Sequence, residues 1–115
     1  DAIKELEEQL DKLYEDYSQQ SGNAMGLSEE IQAIQQEIAR DVELQNQGEK
    51  SAAQNLKQNQ EKLASLRSQL AKEEMIKSAT SRRLEECHRS LEQKKNQVTA
   101  EKIRQKPEGK SSKNK

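Results

Sequence analysis

Cys87 and His88 form the only adjacent pair of soft ligands in the chain, the natural seed of a zinc site or a thiol nucleophile. Their spacing works against both. Neighbouring residues on a helix point about 100° apart, so the pair does not readily chelate one ion. With one cysteine and one histidine in 115 residues, nothing completes a tetrahedral ligand set. A catalytic cysteine also needs a base brought to it by a folded pocket, and a chain that is 30% apolar with no Phe or Trp offers little to build one. Cys87 therefore reads as a helix-seam residue and His88 as its flank. The single cysteine rules out an intrachain disulfide and fits a reducing compartment.

Other chemistries meet similar limits. The 21 acidic residues are numerous enough for paired-carboxylate catalysis, but they fall on solvated helical faces without a cleft. Ser21-Gly22-Asn23-Ala24-Met25-Gly26 lacks the following Lys-Ser/Thr and the preceding strand of a phosphate-cradling loop. The expectation is a non-enzyme with no catalytic residue, no metal and no cofactor. The basic C-terminal region is a better candidate for binding. Lys94, Lys95, Lys102, Arg104, Lys106, Lys110, Lys113 and Lys115 suit contact with phosphates, acidic protein tails or an anionic membrane surface. Aromatics that would stack on bases are missing from it, so single-strand base recognition is not expected.

What positions these residues is a ladder of leucine and isoleucine. Ile3, Leu6, Leu10, Leu13 and Tyr17 recur at steps of three and four, as do Leu27, Ile31, Ile34, Ile38 and Val42. The ladder resumes with Leu56, Leu63, Leu66 and Leu70, then Leu84, Leu91 and Val98. Such steps lay the side chains along one narrow helical stripe, which must be buried against another helix. The class expected is all-α, an elongated coiled coil. Heptad patterning is shared by too many unrelated chains to suggest a family.

The helix limits follow from the breakers. An N-terminal amphipathic helix is expected over residues 1–19. A hinge is expected near 20–28, where Gly22 and Gly26 each cost about 1 kcal/mol against Ala; the alternative there is a kinked but continuous helix. Ser28, followed by Glu29 and Glu30, reads as an N-cap. A long coiled-coil helix then covers 28–105, with a stutter near 38–42 and Gly48 its one internal residue that demands a stop. Residues 106–115, opened by Pro107, read as a basic disordered tail. The chain starts at Asp1, not Met, which suggests a fragment of a longer protein.

In the second half, seam position a carries Leu56, Leu63, Leu70, Lys77, Leu84, Leu91 and Val98. Position d carries Asn59, Leu66, Glu73, Thr80, Cys87, Lys94 and Glu101. One row is apolar and the other mostly polar, which costs stability and specifies register and partner. Ile76, just off the seam, is a candidate to compensate.

Charge is sharply divided. Residues 1–49 hold thirteen acids and three bases, whereas residues 76–115 hold five acids and twelve bases. The seam flanks follow suit: Glu7, Asp16, Glu30 and Glu37 early; Lys62, Arg67, Arg83, His88, Lys95 and Lys102 late, with Glu74 the one acid among them. A parallel in-register homodimer would set Lys62 against Arg67. Antiparallel pairing, or a heteromeric partner, matches acid with base instead. The functional expectation is therefore an oligomerisation or scaffold segment. It would pair with other helices in a multisubunit intracellular assembly, cytoplasmic, cytoskeletal or nuclear. The alternative is a polyanion-binding module working through its basic end. No run of apolar residues is long enough to span a membrane.

Overall fold

A computed structural model of the chain describes the backbone of residues 1–113 and the side chains of residues 1–105. Two helices account for nearly all of it: α1, Ala2–Asn46, and α2, Ser51–Lys113, with no strand among the described residues. The all-α expectation holds. The basic tail expected over 106–115 lies outside the residues whose side chains are described, although the backbone of α2 is bounded at Lys113.

The break between the helices is not where the glycine pair suggested. α1 runs unbroken through Gly22 and Gly26, so the expected hinge at 20–28 is replaced by the continuous-helix alternative. Ser28 lies inside that helix and caps nothing. The cap is Asp1, whose Oδ1 accepts the Ile3 N–H at 3.2 Å while its carbonyl accepts the Glu5 N–H. The reason for the continuity is phase. From Tyr17 the inward positions step to Gln20, Ala24 and Leu27, by three, four and three, and all four are buried or half-buried. The seam thus crosses the weak segment without losing its face. Gly22 and Gly26 sit on the outer side, where an added Cβ would meet nothing within 4 Å.

The chain reverses instead at residues 47–50. Gly48 has φ of 95°, the left-handed conformation that suits glycine. Its N–H bonds the Gln45 carbonyl at 3.0 Å, and the Glu49 N–H reaches back to the Leu44 carbonyl at 3.0 Å. Together these two bonds make a Schellman motif, which satisfies carbonyls left open at the end of α1. The expected single helix over 28–105 is therefore divided at Gly48.

Two compact units result. One is Tyr17–Ala79, a hairpin containing the turn. In it Tyr17 meets Lys77, Asn23 meets Glu73 and Asp41 meets Asn59, so residue numbers rise on α1 as they fall on α2. The helices are antiparallel. Ala24, Ile34, Ala52 and Leu66 are its most buried apolar side chains. The stutter expected at 38–42 does not occur: Ile38 is followed inward by Asp41, and Val42 is 41% exposed.

The other unit joins Asp1–Asp16 to the segment beginning at Thr80. Glu7 and Tyr14 meet Lys95 and His88, again antiparallel. Leu13, Leu84, Cys87 and Leu91 form its apolar core, with Thr80 also buried.

Gly22, Gly26 and Gly48 separate by sign. Gly22→Ala and Gly26→Ala should each stabilise the fold by roughly 0.5–1 kcal/mol, since helical φ suits alanine and the space is open. Gly48→Ala should destabilise the hairpin by about 1–2 kcal/mol because a Cβ is disfavoured in the left-handed region. Urea titration followed by circular dichroism at high dilution checks all three.

Candidate functional site

The functional surface expected from the sequence is the helix seam, and its residues divide by where they lie. In the hairpin unit, Ile34 and Leu66 are buried, while Tyr17, Leu27, Ile31, Ile38, Leu56, Leu63 and Leu70 are half-buried. In the terminal unit, Leu13, Leu84 and Leu91 are buried, and Ile3, Leu6 and Leu10 half-buried. Val42 and Val98 are exposed. The stripe expected to meet another chain thus packs largely against the opposite helix of the same chain.

Sequence reasoning missed Gln20, Ala24 and Asp41, all on the inner face of α1. Strict counting by three and four would have found them; counting only large apolar residues skipped them. Asp41 is 8% exposed at a position where leucine would be ordinary. Its Oδ2 accepts a 2.8 Å hydrogen bond from Asn59 Nδ2. A buried carboxylate is costly unless given such a donor. Glu37, Arg40, Asn55 and Gln58 join this pair around an open polar groove.

A second polar stretch lies further from the turn in the same unit. Asn23 Nδ2 donates to Glu73 Oε1 at 3.2 Å. The Lys77 ammonium sits 5.5 Å from the Tyr17 ring centroid, in cation–π range, while its side chain is half-buried at the seam. Gln20 Oε1 is buried and finds no hydrogen-bond partner among the described residues. Ile76, expected to compensate here, is 49% exposed.

In the terminal unit the contacts explain Cys87 and His88. Cys87 is buried, and its thiol donates to the Leu6 carbonyl at 3.4 Å. His88 lies on the flank, its Nε2 hydrogen-bonded to the Tyr14 hydroxyl at 2.6 Å, with the rings edge to face. One helical turn pair further out, Lys95 Nζ lies 3.9 Å from Glu7 Oε2. Both partners are about half exposed, so the pair adds at most a few tenths of a kcal/mol. It nonetheless joins an early acidic flank to a late basic one, in the antiparallel sense that the charge division favours.

Of the basic residues expected to contact polyanions, Lys94, Lys95, Lys102 and Arg104 are exposed on α2. The side chains of Lys106, Lys110, Lys113 and Lys115 lie outside the described residues. Among the described residues no three His, Cys, Asp or Glu gather as a metal site, and no helix is long and apolar enough to cross a membrane. No family model, no curated protein and no solved structure matches this chain.

Asn59→Ala should cost about 1–3 kcal/mol, because it leaves the Asp41 carboxylate buried without its donor. The double change Asp41→Leu with Asn59→Leu should exceed the native stability, as apolar replacement of a buried polar pair often does. A two-variant denaturation series decides it. Cys87 should react with iodoacetamide only as fast as the terminal unit opens, a rate measurable by mass spectrometry across a urea gradient. Labelling as fast as that of a free thiol peptide in native buffer would contradict the buried assignment.

Proposed function

We propose that this chain is a non-enzymatic coiled-coil scaffold segment that pairs with other helices inside a multisubunit intracellular assembly, of cytoskeletal, kinetochore, ciliary or tethering kind. The observation that supports the reading is the heptad phase kept along both helices. In a chain with 36% charged residues that phase is the one strong apolar pattern, and within the chain it already serves helix pairing. Because the seam is occupied within the chain, the faces offered to partners are the outer ones. There the acidic surface of α1 and the basic surface of α2 set which partner and which orientation are tolerated.

A second reading rests on Lys94, Lys102 and Arg104, which are exposed on α2. It makes the basic end a polyanion contact, for nucleic acid, acidic tubulin-like tails or an anionic membrane, with the helices serving as its support.

Leu66, 6% exposed, tests the scaffold reading. Leu66→Glu should lower stability by about 3 kcal/mol or more through a buried unpaired charge. Photo-crosslinkers placed on the outer face at Glu30 or Gln58 of the full-length protein in cells should capture partners of discrete mass, and Leu66→Glu should lose them. Crosslinks of the same pattern from the unfolded variant would overturn the reading. For the basic end, binding to heparin should weaken steeply with added salt and fall when Lys94, Lys102 and Arg104 are changed to Gln. Salt-insensitive binding would remove that alternative.

A further inference from the structure

We propose that a second copy of this chain is a partner, and that it binds by helix exchange. The turn at Gly48 opens, α1 and α2 join into one continuous helix, and two such helices pair antiparallel, each α1 lying on the other copy's α2. The inference deepens the scaffold reading and rests on it for the claim that helix pairing is the working property.

Four observations carry it. First, the two stripes are complementary to each other, not to themselves. The contacts Tyr14–His88, Glu7–Lys95, Asn23–Glu73 and Asp41–Asn59 all run from α1 to α2 in antiparallel order. Any α1 satisfies any α2 in the same way, so exchange keeps every one of these contacts. Second, the connection is short. Only residues 47–50 separate the helices, and Gly48 holds the one positive φ among the described residues. A connection this short joins the helices into one continuous element when it straightens, which is the geometry exchange requires.

Third, the seam can be carried across a straightened turn with one local shift of phase. The last inward position on α1 is Asp41, with Gln45 exposed one turn on, and the inward positions on α2 begin at Ala52 and Leu56. A straight helix links them through Glu49, with two successive steps of four. That is a stutter, which locally unwinds the supercoil without breaking it. Fourth, the turn residues other than Gly48 are Gln47, Glu49 and Lys50, all good helix formers, and no proline lies near. Straightening also supplies intrahelical hydrogen bonds to backbone groups that the turn satisfies by the Schellman pair.

Gly48 therefore sets the balance between a closed hairpin and an exchanged dimer. An alanine there is disfavoured in the left-handed turn and favoured in the straight helix. Both effects act once per chain and twice per dimer, so the dissociation constant should fall by about a hundredfold or more.

The test uses the full chain, with Cys87→Ala and spin labels at Gln35→Cys and Arg67→Cys, both exposed positions. Labelled chains are annealed at high concentration in excess unlabelled chain, so that only the distance within one chain is read. Mass by light scattering is followed in parallel across concentration, for the chain with Gly48 retained and for Gly48→Ala. Exchange predicts a dimer that grows with concentration and is favoured by Gly48→Ala. It also predicts that the label distance in that dimer lengthens from the short span of the hairpin toward about 48 Å, the rise of one continuous helix. A monomer at every concentration overturns the proposal, and so does a dimer that keeps the short distance, which would be two closed hairpins side by side. Should Gly48→Ala fail to fold, the glycine-containing chain alone decides between these outcomes. Failure here leaves the scaffold reading intact, since that reading falls only with the outer-face crosslinks.

Discussion

Everything in this chain depends on keeping one narrow face of each helix turned toward the other. Two side chains in every seven must point inward, turn after turn, or the helices part. Leucine and isoleucine supply the burial where they are present, but phase is what is conserved along the helices, and polar residues hold it where the apolar ones lapse. Gln20, Asp41, Asn59, Glu73, Lys77 and Thr80 all occupy inward positions and are buried or half-buried. Their side chains are not well suited to a core. The repeat requires a residue at each of these positions but not a polar one, so the polar side chains there cost burial and restrict register.

These polar levels also decide which arrangement the helices adopt. An apolar stripe alone tolerates sliding by a heptad. A buried carboxylate that requires its asparagine does not, because displacement leaves Asp41 without Asn59. The flanks act in the same direction at lower energy: the acidic excess of α1 and the basic excess of α2 favour antiparallel contact, as Glu7 and Lys95 show. Stability is given up at the seam, and a single register is gained.

Much of this was legible in the sequence. Composition and the three-four ladder gave the all-α class, and the a and d rows of α2 match its inward positions from Leu56 to Leu91. The charge division pointed to antiparallel pairing between chains or to a heteromeric partner, and the antiparallel pairing found lies within one chain. The location of the reversal was not legible from glycine content, because glycine has two different effects. On an outer helical face, Gly22 and Gly26 only weaken the helix, and packing on the opposite side offsets that. At a helix end, Gly48 adopts a conformation that other residues resist. The distinguishing sign was phase: the repeat continues through the first pair and shifts at Gly48. Reading Val42 as inward hid this by placing the shift too early. The pairing of Tyr14 with His88 could not be read from spacing, since it depends on where the turn falls.

The turn also sets an order in time. Asp41 and Asn59 are 18 residues apart in the chain, whereas Leu6 and Cys87 are 81 apart. Contacts beside the turn close a short loop, and each further level closes only slightly more chain than the last, so the entropic cost of pairing is met in small increments. In the hairpin unit, loop closure therefore favours pairing that starts beside Gly48 and moves away from it. A pull that parts those two helices meets the levels in the opposite order, and the leucine levels resist it more than those of glutamine and lysine.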